Sequence, residues 1–357
     1  MKRILIAPLD WGLGHATRCI PVIRYLLEKK CEVVIGADGR PLDLLKKEFS
    51  SCEFVQMNGY DISYPKSGSM ALKIAAQIPK ILSGIKKEHE LLKKIIKEKK
   101  IDAVISDNRF GLWSDDIPCV FMTHQLMIKS PFGEKWIHEL NKKYISKYAE
   151  CWVPDVQSTV NLSGDLSHKF PLPENAKFMG VLSRFERDKF FPPQRNTDYY
   201  DVMAIVSGTE PQRTIFEQLI SKQFNETKLK TFLVAGKTEV YHGQKIANNK
   251  YKSHLSSDKM QRQIFNSSII VSRPGYSTVM DLAMLGKKAI FVPTPGQTEQ
   301  EYLAKYFMEN NIAFSMTQNK FDLNVALKES EKYSGFTEKY SGEEFKKAVD
   351  SFILSLK

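Results

Sequence analysis

The chain has 357 residues, too long for one ordinary hydrophobic core and suited to two α/β domains. Its 52 lysines and arginines outnumber 41 acidic residues, and the net charge of +11 favours anionic partners. No nucleic-acid motif and no basic patch interleaved with aromatics accompanies that charge, so nucleic acid is not an expected partner. No apolar run is long enough to span a bilayer. The five cysteines, Cys19, Cys31, Cys52, Cys119 and Cys151, have no metal-ligand spacing and read as free thiols of a reducing cytoplasm.

In chain order, the first half alternates strands and helices as a doubly wound domain does. Expected strands are 3–7, 32–36, 53–57, 103–106, 119–122 and 151–154, with helices between them, notably 16–28 and 134–148. Residues 1–7 are apolar at the start, but Pro8 and Asp10 break the run, and a first strand fits better than a signal peptide. The loop after it, DWGLGHATR, places Gly12 and Gly14 where backbone can approach a ligand closely, ahead of a helix N-terminus that suits an anion. Thr17 stands where a dinucleotide fingerprint has its third glycine, so no such cofactor is implied. Asp107 ends the strand 103–106, and His124 with Gln125 follow the strand 119–122, positions able to hold acceptor hydroxyls or supply a base. Asp115 and Asp116 read as a solvated turn rather than metal ligands. Residues 58–69 lack either period and read as a loop over an acceptor. Residues 73–100 carry Ile81, Ile85, Leu92, Ile95 and Ile96 at near-helical spacing among lysines, a stripe that fits either an anionic membrane surface or an ordinary surface helix.

After a polar connection at 184–201 a second doubly wound domain is expected, with strands 202–207, 231–235, 268–271, 289–292 and 312–316. Two such sheets would face each other across a cleft, with ligands at the carboxyl ends of the strands. The segment SGTEPQRT repeats the strand, glycine loop, helix plan and contains Gly208 and Thr209. The most informative stretch is 271–302. Gly275 allows a sharp turn, and Ser277 and Thr278 stand at a helix start that suits a phosphate. Asp281 falls about one turn inside that helix, where a carboxylate can accept from two ribose hydroxyls. Gln300 and Glu301 end the next loop and are able to grip a sugar. Residues 341–357 read as an amphipathic helix.

Arg273, Gly275, Thr278, Asp281, Pro293 and the pair Gln300 and Glu301 resemble the donor-binding signature of glycosyltransferase family 28, the MurG-like nucleotide-sugar transferases. The resemblance implies a GT-B fold, in which the terminal helix returns to the first domain. The expected division is 1–182 for the acceptor domain, 183–338 for the nucleotide-sugar domain and 339–357 for the returning helix. It further implies that Gly12, Gly14 and His15 match the family's first loop, with the two glycines at the nucleotide-sugar and His15 a base or a ligand of the diphosphate, that Gly208 and Thr209 touch the donor diphosphate, and that Arg184 offsets charge on the leaving group. His15 with Asp107 is also similar to the histidine and aspartate that activate the acceptor in inverting plant-type transferases of this fold. A glutamate at 301 and the shorter aspartate at 281 depart from the family pattern and leave the donor sugar open. The implied activity is inverting hexosyl transfer from a nucleotide-diphospho-sugar, with uridine favoured, to a hydroxyl acceptor. The nucleotide-sugar is a co-substrate, and neither a separate cofactor nor a metal is expected. The expected location is the cytoplasm, with the membrane's inner face as a further partner. A nucleotide-sugar 2-epimerase and a non-catalytic nucleotide-sugar-binding protein share the architecture.

Overall fold

A computed structural model describes residues 1–60, 77–129, 133–188, 199–237, 243–246 and 249–356. Most of the expected acceptor loop, the start of the lysine-rich stretch and part of the polar connection therefore lie outside the described residues. The chain forms two compact units, one running to Ser183 and taking in Ser341–Lys357, the other Arg184–Tyr340.

The first unit contains β1 (Arg3–Pro8), α1 (Leu13–Glu28), β2 (Glu32–Ala37), α2 (Gly39–Glu48), β3 (Glu53–Gln56), α3 (Ile78–Lys99) and β4 (Ala103–Asp107). It continues through β5 (Cys119–Met122), α4 (Glu134–Ile145), β6 (Glu150–Val153), the short α5 (Asp165–His168) and β7 (Ala176–Phe178). The strands form one parallel sheet in the order β3-β2-β1-β4-β5-β6-β7. Flanking helices cover such a sheet, so its central strands are rich in apolar residues; Ile4, Leu5, Ile6, Val104 and Ile105 are wholly buried. The order reverses between β1 and β4, and a crevice opens at the carboxyl ends of the strands at such a point.

In α3 the apolar stripe turns inward, as the surface-helix reading has it. Leu92 and Ile95 pack into the core of this unit, and Ile85 packs with Leu9 and Tyr60. Burying Leu92 alone stabilises the fold by about 1.5–3 kcal/mol. Glu88, on the same inward face, is buried because Arg109 donates to it from Nε at 2.5 Å and Tyr60 from its hydroxyl at 2.8 Å. No helix among the described residues is long and apolar enough to cross a membrane.

The second unit contains β8 (Tyr200–Ile205), α6 (Gln212–Glu226), β9 (Thr231–Val234), β10 (Gly243–Ile246), β11 (Asn249–Lys252), α7 (Ser257–Phe265) and β12 (Ser267–Ser272). It continues through α8 (Tyr276–Leu285), β13 (Ala289–Phe291), α9 (Thr298–Glu309), β14 (Phe314–Ser315) and α10 (Leu323–Ser330). Its sheet runs β10-β11-β9-β8-β12-β13-β14, parallel except for the antiparallel pair β10 and β11, which sequence periodicity did not reveal. The reversal here falls between β8 and β12, so the loops after those two strands mark the ligand end. The last helix, α11 (Glu343–Ser355), belongs to the first unit. The Tyr25 hydroxyl donates to Asp350 at 2.8 Å, and Phe352 packs edge-on against Trp152 with centroids 5.6 Å apart.

Candidate active site

In the first unit, parallel pairing decides what meets what. Pro8 of β1 is in register with Asp107 of β4, and Asp107 with Met122 of β5. One register line thus brings the loop after β1, the end of β4 and the segment leading to His124 together. Gly12 caps α1 at φ 96°, a left-handed value that favours glycine, and lets the helix begin at Leu13, earlier than periodicity predicts. The early start puts Gly14, exposed, and His15 in the first turn. His15 Nδ1 then lies 3.2 Å from Oδ2 of Asp107, which is completely buried.

Asp107 is held chiefly by a residue the sequence reading passed over. Arg18, also buried, donates from Nε to both carboxylate oxygens at 2.9 Å and from Nη2 to Oδ1. Nη2 of Arg18 is also 3.0 Å from His15 Nδ1, and its Nη1 is 2.8 Å from Nδ1 of His124. Burial pushes the Asp107 carboxyl up, but the charges of Arg18 and His15 outweigh it and hold the group below the usual carboxylate range. The signal that could have found Arg18 is helical spacing: it lies three residues after His15, on the same face of α1. His124 is buried, and Gln125 beside it is half-buried. Asp115 and Asp116 are exposed.

In the second unit, the loop after β8 carries Ser207, Gly208 and Thr209. Gly208 takes φ 119° with open space where a side chain would begin. Glu210, an awkward neighbour for a phosphate, is turned aside: it accepts from Arg213 Nε at 2.5 Å and from the Thr214 N–H at 3.2 Å. After β12, Gly275 caps α8 without a side-chain hydrogen bond. Its φ of −71° and ψ of 134° suit any residue, which corrects the expected need for glycine's freedom in a sharp turn. The missing side chain leaves open space instead, at the end of the helix where N–H groups point outward. Ser277 and Thr278 stand in that first turn, half-buried. Asp281, one turn further, is 6% exposed and accepts from Arg184 Nε at 3.1 Å. The Arg184 guanidinium stacks over the Phe185 ring at 4.8 Å. The two residues expected at ribose and diphosphate are therefore partners of each other.

Gln300 and Glu301 fold the preceding loop back on itself. Oε1 of Gln300 accepts from the Thr294 N–H at 2.8 Å, and Oε1 of Glu301 from the Gly296 N–H at 2.7 Å. Each keeps a second polar atom on its side chain.

Arg273 is placed inside, against the expectation that it contacts the donor. It is 1% exposed, and its Nη1 donates to the carbonyls of Val292 and Pro293 at 2.8 and 2.9 Å. Its Nη2 reaches the side chain of Gln318, and the guanidinium lies over Phe216 at 4.1 Å. Burial lowers its pKa to about 9, which still leaves it charged at neutral pH. Arg273 thus ties the loop after β13 to β12. Arg273→Ala leaves those carbonyls buried without a donor and is expected to lose roughly 2–3 kcal/mol in urea unfolding. Unchanged stability with weakened nucleotide binding would instead put Arg273 on the ligand.

Two doubly wound, largely parallel domains of this order, with polar and glycine-rich loops at both reversal points, have the architecture of the GT-B fold. Residues 202–351 match the glycosyltransferase family 28 C-terminal domain. A UDP-N-acetylglucosamine–N-acetylmuramyl-(pentapeptide) pyrophosphoryl-undecaprenol N-acetylglucosamine transferase of Caldicellulosiruptor saccharolyticus is 25% identical over 342 residues, 91% of this chain and 86% of that protein. The solved MurG of Acinetobacter baumannii superposes with a TM-score of 0.56 at 13% identity, covering 99% of this chain and 100% of that one. The Streptomyces sp. SF2575 glycosyltransferase SsfS6, solved in complex with thymidine diphosphate, gives 0.61 at 11% identity, covering 99% and 100%. The chain is thus similar to the MurG-like glycosyltransferases, and its second unit carries the family 28 C-terminal domain.

Proposed function

We propose that this enzyme moves a hexose-type sugar, with inversion, from a uridine-diphospho-sugar to a hydroxyl acceptor. The observation that carries the reading is the 3.2 Å contact between His15 and the buried Asp107 at the strand-order reversal of the first unit. In the reaction, His15 Nε2 takes the proton of the acceptor hydroxyl as its oxygen attacks the anomeric carbon, opposite the departing nucleotide. The bond from that carbon to the diphosphate oxygen breaks, and Asp107 stabilises the imidazolium. Donor binding falls to the second unit. There Ser277, Thr278, Gly208 and Thr209 take the diphosphate, Asp281 the ribose, and Gln300 with Glu301 the sugar hydroxyls. Arg184, held by Asp281, supplies positive charge to the leaving group.

Uridine is favoured by the donor named for the Caldicellulosiruptor relative, and a lipid-linked or cell-envelope glycan acceptor by the same name. Five free cysteines, four of them buried, suit the cytoplasm. Exposed lysines on the outward face of α3, among them Lys86, Lys87, Lys93 and Lys94, attract an anionic lipid surface by charge.

Calorimetric titration with UDP, GDP, dTDP and ADP tests the reading. UDP is expected to bind selectively, and Asp281→Asn to weaken it by about 1–3 kcal/mol as a charged hydrogen bond is lost. Absence of binding by all four, or equal affinity in the variant, overturns the donor site.

A further inference from the structure

Arg18 has no part in the mechanism above, although it touches Asp107, His15 and His124. A guanidinium has five N–H donors, no acceptor, and stays charged. An imidazole nitrogen that meets it presents a lone pair, unless a carboxylate faces the same nitrogen and takes a proton from it. With Arg18 Nη1 at 2.8 Å, His124 has its lone pair on Nδ1 and its ring proton on Nε2. A second proton on that ring would have to enter at Nδ1, against the cation. His15 also meets Arg18 through Nδ1, but Asp107 Oδ2 lies 3.2 Å from the same nitrogen. That carboxylate can accept an Nδ1 proton, which leaves the lone pair of His15 on Nε2.

We propose that Arg18 is a positioning residue that gives the two histidines different roles: His124 a neutral Nε2–H donor to a substrate oxygen, His15 the base. The inference rests on the reading of His15 as base and goes beyond it by removing His124 from that role. In the transfer step the acceptor proton passes to His15 Nε2 and later to solvent, while His124 neither gains nor loses one.

Three further groups near these rings are compatible with the assignment. Asp10 lies within electrostatic reach of His15. The Cys19 thiol, 3.7 Å from Asp107 Oδ2, is pushed well up by burial and stays protonated. The Gln125 side-chain amide is 3.5 Å from His124 Nε2, at the outer limit of hydrogen bonding, and a half-turn about its last bond presents oxygen instead of nitrogen to that proton.

The test is long-range proton–nitrogen correlation NMR of the full chain labelled with nitrogen-15 histidine, with His15→Gln and His124→Gln assigning the two rings. In wild type the His124 ring is expected to show the Nε2–H tautomer unchanged from about pH 8 to 5, and the His15 ring at about pH 8 the Nδ1–H tautomer. Arg18→Met should release His124, whose imidazolium then appears as the pH falls. Should that variant not fold, the charge-balanced Arg18→Met/Asp107→Asn pair supplies the same readout. An Nδ1–H or doubly protonated His124 at neutral pH in wild type, or identical His124 titration with and without Arg18, overturns the proposal. The spectra require no turnover. Expected spectra from a chain that binds none of the four nucleotides sink the transferase reading alone, and contrary spectra from a chain that binds UDP sink this inference alone.

Discussion

His15→Ala is expected to slow UDP release from the UDP-sugar by about 10²–10⁴-fold, the usual contribution of a positioned general base. The fold should survive the change. His15 sits in the first turn of α1 with its side chain 15% exposed, and the substitution takes away no buried charge from the Arg18–Asp107 pair. Nucleotide affinity should be unchanged, because the side chains proposed above to hold the donor all belong to the second unit. The loss therefore appears in kcat, with the KM for donor nearly constant. His124→Ala, on the roles inferred above, lowers the rate without removing the acid limb of the pH profile. If His15→Ala keeps the wild-type rate and His124→Ala abolishes it, the base has been assigned to the wrong ring.

Asp107→Ala has the second large effect, and on stability as well as rate. It leaves the Arg18 guanidinium, 2% exposed, without its carboxylate, and breaking a buried pair from one side costs about 3–5 kcal/mol. The pH dependence follows from the direction of the shift. The folded-state carboxyl lies below its ordinary range, so its stabilisation is fully present above the unfolded pKa of about 3.9 and is lost as the pH falls through the folded value. The stability gap between wild type and variant should be flat from neutral pH to about 5 and narrow below about 4. Urea midpoints across that range measure it. A gap under about 1 kcal/mol, or one that stays flat at low pH, means that the pair is not the buried anchor described here. Replacing both partners by apolar residues should cost less than removing one, since no unpaired charge remains.

These two effects share a cause that was only half visible in the sequence. The loop DWGLGHATR and the position of Asp107 at a strand end were legible, because apolar runs bounded by glycine and polar residues mark strand ends wherever the sheet is covered on both faces. Arg18 was not legible as their partner. Its contacts are 89 residues away at Asp107 and 106 away at His124, and only the β1, β4 and β5 registers bring those together. The second unit repeats the lesson. Asp281 could be placed one turn inside a helix from spacing alone, but its partnership with Arg184 joins positions 97 residues apart.

The sequence by itself determined the alternation of strands and helices, the loops at which chemistry could sit, and the residue types available there. Those properties depend on period and on local turn chemistry, which neighbours along the chain express. Tertiary structure decided which way side chains point. It turned the α3 stripe inward to the core, Arg273 into the loop after β13, Glu210 toward Arg213, and Arg18 between two histidines. The physical reason is common to all four. A side chain settles where its charge or apolar surface is best satisfied, and for these residues burial and strand register set those surroundings.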